Sequence, residues 1–400
     1  MLTGTNLTYT KDFNFRIVFE TIRLHGPISR ADIARRTSLT AQTVSNIVNR
    51  LLEYNFVREG KKLQKRRGAP STNLEINPDG AFSIGLDFNR DHLTGILVDL
   101  LGNLKTKIYY EVDTPEPTDA IELMASTVKQ LLEHPFTTES HFAGVGLGLP
   151  GPLIINDQNE VSNTINPKAF PNWSHIPVGK LLQELINCPI FIENNASAAT
   201  IGERWYGAGK NLSNFLYTFF GAGLGGGLIL NGSLYEGPNK NSGELGYFPF
   251  LDQKSPLSSS EQPHIGEHFN LLKLYKWLES DHIHVQRPED LSKLYTEKHP
   301  KFMEWLQLAK RFLLPVYLSV EYLLDIDVIV MGGRLPKIII QDFATDIPRL
   351  LDEIRIDVKT SKLSFEVGTA GVDAAALGAA TLPMFQLFAA QTDLLIKQNT

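Results

Sequence analysis

The sequence predicts an N-terminal helical domain of the winged helix-turn-helix type, followed by a larger α/β body. Three observations carry that prediction. Charge divides sharply along the chain. Two short amphipathic segments separated by a tight turn lie near the N-terminus. Beyond residue 80, five glycine-bearing strand ends follow one another, interleaved with helical patterns.

The chain has 400 residues, 42% hydrophobic and 20% charged, enough for two or three globular domains. No apolar run approaches the roughly 18 residues that span a bilayer. The opening MLTGTNLTYTKDFNFRI has no basic region ahead of an apolar core, so no secretory signal is expected. A single cysteine, Cys188, excludes an internal disulfide framework and a Cys-cluster zinc site. These features predict a cytoplasmic protein with no membrane segment.

The net charge of −6 conceals an asymmetry. Residues 1–78 carry 13 Lys+Arg against 6 Asp+Glu, a net +7, and the remainder carries 25 against 38, a net −13. A basic head on an acidic body predicts that only the head meets a polyanion; chance clustering is the plain alternative.

In the head, Phe13, Ile17, Val18, Ile22 and Leu24 recur at helical spacing until Gly26-Pro27 breaks the pattern. Ser29 and Asp32 form an S-x-x-D cap that starts a short helix at Arg30, with Ile33 and Ala34 inward. Ser38-Leu39-Thr40 makes the turn. Thr40 caps a second helix whose Val44, Ile47, Val48, Leu51 and Leu52 form one apolar stripe. Its other face holds Ala41, Gln42, Thr43, Ser45, Asn46, Asn49 and Arg50. Short polar side chains of this kind suit base edges and phosphates in a major groove, and Ser29, Arg30 and Thr40 join them as candidate DNA contacts. An ordinary solvated face is the alternative. Such a face usually carries acidic residues, and none lies between Asp32 and Glu53. Residues 58–77 then read as a two-stranded wing whose tip bears Lys61, Lys62, Lys65, Arg66 and Arg67, suited to a narrow minor groove or to a flexible basic linker.

In the body, residues 82–104 read as two strands with turns, and 143–153 as a strand entering a Gly/Pro loop. Residues 188–207 read as a strand whose polar end opens a helix, and 215–237 as a glycine-rich hairpin. Residues 328–335 read as a buried strand ending in Gly-Gly, and 368–382 as a small-residue helix. Alternating strands and helices imply an α/β fold, and glycine at strand ends implies close approach of a ligand to the backbone.

The motifs of both parts, G-P-I-S-R-A-D-I-A, T-V-S-x-I-V-x-x-L-L, the wing ending in R-x-G-x-P, and the five glycine loops, resemble the ROK family of repressors, open reading frames and kinases. The turn of that family usually has Gly where this chain has Ser38. The resemblance implies a two-lobed, actin-like, ribonuclease-H-like ATPase architecture for the body. The expected domains are 1–78, a first lobe of 79–195 with 372–400, and a second lobe of 196–371.

Set beside that family, the chain departs at three places that serve phosphoryl transfer. The first phosphate loop, D-x-G-G-T-K in the family, is Asp87-Phe88-Asn89-Arg90-Asp91-His92, without glycines. The second, G-T-G-x-G, is Gly221-Ala222-Gly223-Leu224-Gly225. The E-N-D-A motif, whose Asp is the general base, is Glu193-Asn194-Asn195-Ala196, and an amide cannot take a proton at neutral pH. No catalytic residue and no ATP is therefore expected. The resemblance places sugar contacts on Asn166, Asn194, Asn195, Glu244 and Glu267; helix capping is an alternative for Asn194 and Asn195, and a simple turn role for Glu244.

The structural zinc of the family is not expected either, because Tyr247 stands for its His and the loop lacks Cys. His264-Ile265-Gly266-Glu267-His268 matches the inverted zinc-peptidase pattern H-x-x-E-H, making His264 and His268 the metal candidates. A third ligand is not evident and Pro263 breaks the helix, so no metal is predicted. The combined expectation is a sugar-responsive repressor that binds double-stranded operator DNA as a homodimer or tetramer and a sugar effector in its cleft. An active sugar kinase with an attached DNA-binding domain, and a regulator governed by a protein partner, are the rival readings.

Overall fold

The computed structural model describes residues 7–60, 72–138, 140–155, 161–164, 170, 172–173, 176–249, 264–285, 287–356 and 363–390. The head comprises α1 (Leu7–His25), β1 (Ile28–Ser29), α2 (Arg30–Thr37), α3 (Ala41–Glu53), β2 (Val57–Glu59) and β3 (Asn73–Ile76). Both expected caps form: Ser29 Oγ accepts from Asp32 N at 3.2 Å, and Thr40 Oγ1 accepts from Thr43 N at 3.2 Å. Val44, Ile47, Val48 and Leu51 are buried against Val18, Phe19, Ile22 and Ile33. The turn residue Ser38 sits at φ 57°, a left-handed conformation that explains why glycine suits this position. β2 and β3 pair antiparallel, Val57 opposite Ile76, as a wing requires, and β1 pairs with β3. Lys61, Lys62, Lys65, Arg66 and Arg67 lie outside the described residues.

The body begins with β4 (Ala81–Phe88), β5 (His92–Asp99), β6 (Leu104–Glu111), α4 (Pro117–Leu132) and β7 (His141–Leu149). It continues with the hairpin β8 (Leu153–Ile155) and β9 (Val161–Thr164), then α5 (Val178–Ile186), β10 (Ile190–Asn194) and α6 (Asn195–Tyr206). Next come β11 (Phe215–Phe220), β12 (Leu224–Leu230), β13 (Ser233–Leu234), α7 (Ile265–His268), α8 (Leu271–Glu279) and α9 (Leu291–Thr296). The chain closes with α10 (Pro300–Leu324), β14 (Val328–Gly333), α11 (Lys337–Ile354), β15 (Ser364–Val367) and α12 (Ala374–Phe388).

Two five-stranded sheets, β10-β7-β4-β5-β6 and β13-β12-β11-β14-β15, repeat one topology. In each, the first three strands run antiparallel and the last two add parallel beside the first. This duplication is what an actin-like body predicts. It places the β4–β5 turn, the β11–β12 turn and the end of β14 around one cleft.

The small-residue helix α12 packs on β4, β7 and α6. Contact is close enough that a Cβ on Gly146 would fall 1.8 Å from the Ala379 carbonyl oxygen, and one on Gly378 2.0 Å from that of Ala198. The segment Gly371–Phe388 is long and apolar enough to cross a membrane by length and composition, which corrects the expectation that no run approaches that length. Here it is packed into the fold, with Ala375, Ala379 and Met384 at most 1% exposed.

The head is joined to the body by a shared core. Phe388, at the end of α12, stacks on Phe19 with ring centroids 4.1 Å apart and meets Phe56 edge-on at 4.9 Å. Arg23 is buried, forks Glu20 through Nε and Nη2 at 2.8 and 2.7 Å, and donates from Nη1 to the Trp205 carbonyl. Its guanidinium also lies 4.7 Å from the Trp205 ring centroid.

Candidate functional site

Two surfaces hold the sequence-predicted site residues, the outer face of α3 and the cleft between the sheets. On α3, the buried stripe turns Ala41, Gln42, Asn46, Asn49 and Arg50 outward, with Thr43 and Ser45 half-buried. Gln42 Nε2 donates to Asn46 Oδ1 at 3.0 Å, and the Arg50 guanidinium lies over the Phe15 ring at 5.1 Å. Arg30 is half-buried, with Nη1 3.8 Å from Glu59 Oε1. Thr40 is exposed, its hydroxyl committed to the cap. Ser29 requires a correction: it is 3% exposed and its hydroxyl both caps α2 and donates to Asp32 Oδ2, so it is a structural cap rather than a surface contact. Arg36, exposed on α2 beside His25, is a surface cation that the sequence reading passed over.

The cleft is lined by Asn194, Asn195, Glu244, Gly151, Arg90 and Gly223 among others. β10 and α6 set the two asparagines: Asn194 ends the strand and caps the helix, its Oδ1 accepting from Ala196 N at 2.8 Å and Ser197 N at 3.3 Å. Capping therefore holds for Asn194, while its Nδ2 faces the cleft. Any Cβ on Gly151 would lie 2.0 Å from Asn194 Nδ2 and 3.1 Å from Glu244 Oε1, which measures how tightly these three converge. Asn195, 8% exposed, has no side-chain hydrogen bond to a described residue. Burial pushes the Glu244 carboxyl up to about 7, and desolvation pushes that of half-buried Glu193 likewise to about 7. The cleft thus offers two carboxamides and a carboxyl that is readily neutral, a donor–acceptor set suited to hydroxyl groups.

Among known proteins, the ROK family model matches residues 83–384, and a MarR family model matches residues 6–67. The chain belongs to the ROK family. It is 33% identical over 254 residues to a protein named xylose repressor from Bacillus spizizenii, covering 63% of this chain and 64% of that relative's length. A crystal structure described as a ROK family transcriptional regulator, homologue of the E. coli MLC protein, superposes with a TM-score of 0.75 at 19% identity, over 96% of this chain and 98% of that one. A ROK family glucokinase from Streptomyces griseus, solved with glucose and AMPPNP, gives a TM-score of 0.61 at 18% identity, over 76% of this chain and 99% of that one. At these identities the structural likenesses establish the fold.

Around the β4–β5 turn a charged network spans the cleft. His92 is 2% exposed, with Nε2 3.1 Å from Asp87 Oδ2 and Nδ1 2.7 Å from Asp91 Oδ1. Arg334, which follows β14 in the opposite sheet, donates from Nη1 to Asp91 Oδ2 at 2.6 Å and reaches the Tyr109 hydroxyl at 3.4 Å from Nη2. Burial depresses the charged form of His92, but its bonds and charge contact with Asp87 and Asp91 outweigh that and raise its pKa. Asp91 goes the other way: burial opposes its charge, yet His92 and Arg334 hold it well below the usual carboxylate range.

Other predicted residues separate. Glu267 does not line the cleft; it lies on the four-residue α7 with Oε1 3.8 Å from His264 Nε2. Asn166 lies outside the described residues. His264 precedes α7 in extended conformation, its Nδ1 2.9 Å from the Gly246 carbonyl oxygen and its ring 5.1 Å from that of Tyr247. The helical i, i+4 arrangement that would make His264 and His268 joint ligands is therefore not formed. No group of three or more His, Cys, Asp or Glu able to hold a metal occurs among the described residues. The sequence reading did not single out Arg90 as a cleft residue.

Proposed function

We propose that this ROK protein is a sequence-specific DNA-binding regulator, a repressor of sugar-utilisation genes, whose kinase-like body binds a sugar without phosphorylating it. The observation that carries this reading is helix α6. Its N-terminal residues Asn194 and Asn195 stand in the cleft, and ten residues after Asn195 the Trp205 carbonyl receives Arg23 of the head. At 1.5 Å per residue the helix is a strut of about 15 Å between effector and head. α12, packed along α6, ends at Phe388 against Phe19 and Phe56 and supplies a second arm.

The domain limits proposed are 1–78, 79–195 with 372–400, and 196–371. α6 touches α12 on one side and β12 on the other, so the lobe boundary falls at the start of the strut. Sugar hydroxyls bound to Asn194, Asn195 and Glu244 favour a closed cleft. Closure tilts α6 and shifts the heads of a homodimer or tetramer relative to successive major grooves. A coupling of about 1–3 kcal/mol suffices to change operator occupancy several-fold or more. Similarity to a protein named xylose repressor supports the regulatory reading. The absence of chemistry is supported by Asn195 and by the Asp87–His92–Asp91–Arg334 network where phosphates would lie. An electrophoretic shift with operator DNA and a panel of sugars tests the proposal. Operator affinity unchanged by every sugar, or sugar-dependent ADP release by pure protein, defeats it.

A further inference from the structure

Most polar side chains on the outer face of α3 are already engaged. Thr43 shares a hydrogen bond with the Thr40 hydroxyl at 2.9 Å, and Ser45 is half-buried. The Arg50 guanidinium lies over the Phe15 ring of α1 at 5.1 Å, towards the far end of the helix. Ala41 has no polar group to offer. Gln42 differs: it is exposed and is the second residue of α3. The first turns of a helix laid in a major groove are the part that meets base edges.

The Gln42 carboxamide is held in one orientation. Its Nε2 donates one hydrogen to Asn46 Oδ1 at 3.0 Å, four residues on along the same face, the spacing at which such pairs form on a helix. With the Gln42 amide reversed, its oxygen would face the Asn46 oxygen and the bond would be lost. Nε2 keeps a second hydrogen and Oε1 its lone pairs, with no partner among the described residues, so a donor and an acceptor stand side by side in a fixed order. Adenine complements both in the major groove, with N7 as acceptor and N6–H as donor. Guanine shows two acceptors, and its O6 would meet Oε1. Thymine shows one acceptor beside a methyl group, and cytosine one amino donor; either leaves half of the carboxamide unpaired, which costs affinity once water is excluded.

Resting on the DNA-binding reading above, we propose that Gln42 reads an adenine in each operator half-site, Oε1 accepting from N6 and Nε2 donating to N7, with Asn46 as the positioning residue that fixes which end of the carboxamide faces which atom. Exchange of that A·T pair for G·C lowers affinity by about 5- to 150-fold.

Selection from random duplex DNA, by the full-length wild type and by Gln42→Ala, locates the base pair. One position per half-site, adenine for the wild type, is expected to lose its preference in the variant while the other positions keep theirs. Fluorescence anisotropy then measures binding to the selected duplex with that adenine replaced by 7-deazaadenine, which lacks N7, or by purine, which lacks the 6-amino group. Each replacement is expected to weaken the wild type about 2- to 12-fold, and neither to weaken Gln42→Ala further. Asn46→Ala is expected to narrow the ratio of A·T over G·C affinity. Asn46→Asp keeps an acceptor for Gln42 Nε2, so it preserves that ratio while its charge lowers affinity for every sequence; a purely structural role for Asn46 would not separate the two variants in this way. Both positions are exposed and alanine favours helix, so folding is not at risk. Analogue penalties that persist in Gln42→Ala, or a ratio that survives Asn46→Ala, overturn the inference. If Gln42→Ala selects the same sequence as the wild type, the inference falls and the DNA-binding reading stands. If the wild type selects no sequence, that reading fails with it.

Discussion

Truncating Arg23 tests the junction between the cleft strut and the head. Its guanidinium is 4% exposed, holds Glu20 through two bonds, donates to the Trp205 carbonyl and covers the Trp205 ring. In Arg23→Ala, Glu20 keeps only Arg204, at 4.0 Å, and the Trp205 carbonyl loses its donor. Burial pushes the Glu20 carboxyl up, and the bonds and charge of Arg23 outweigh it to hold the pKa below the ordinary value; the variant removes that offset. Breaking a buried pair costs about 3–5 kcal/mol, and the partial exposure of Glu20 with the surviving Arg204 brings the expectation to about 2–4 kcal/mol. Urea unfolding at pH 7, followed by far-UV circular dichroism, measures it. On the proposed mechanism, sugar affinity stays within about threefold while the sugar-dependent change in operator affinity falls to near unity. A loss under 1 kcal/mol, or an intact sugar response in a folded variant, refutes the reasoning.

Three further outcomes are expected. Asn195→Asp introduces a carboxylate yet, on the proposed reading, yields no sugar-dependent ADP in a coupled ATPase assay, because the His92–Asp91–Arg334 network remains; measurable turnover contradicts that reading. His92 has a raised folded pKa, so its contribution is fully present below the unfolded value of about 6.5 and is lost as pH rises through the folded one; the stability gap between wild type and His92→Gln, read by chemical denaturation, should be largest near pH 5.5 and shrink towards pH 9. Ser38→Gly relaxes a left-handed residue at φ 57° and should stabilise the head by roughly 0.5–1 kcal/mol after the entropy of the unfolded chain is counted, seen as a rise in urea midpoint.

The head was legible almost to the residue, because caps and apolar spacing act locally: Ser29, Thr40 and the Val44–Leu51 stripe specify α2 and α3 without help from the body. Strands β4, β5, β7, β10, β11, β12 and β14 were legible because glycine and polar residues punctuate their ends. The third strand of the first sheet, β6, was not read, since LKTKIYYE lies at a sheet edge and alternates only loosely. The contact of Phe19 and Arg23 with Phe388 and Trp205 joins residues more than 180 positions apart, and no local pattern encodes it. The same holds for the cleft. Asp87, Asp91 and His92 looked like the loss of a phosphate loop, but the bonding of Asp91 and His92 to Arg334, over 240 residues away, depends on the pairing of two sheets.

That pairing bears on how a kinase fold can serve as a switch. Phosphoryl transfer needs an empty, backbone-lined pocket into which nucleotide brings its own charges. Here side chains tie the β4–β5 turn of one sheet to the end of β14 in the other, and on the proposed reading they fill that position. A cross-cleft ion network sets a resting geometry between the lobes, and a ligand shifts that geometry only by as much as it binds one arrangement better than another. Asn194 and Asn195 stand at the cleft end of α6, where on the proposed reading a small rotation is carried over about 15 Å to the Arg23–Trp205 contact. The network would then do more than remove a reaction. On the proposed reading it supplies the opposing force without which sugar binding has no second state to displace.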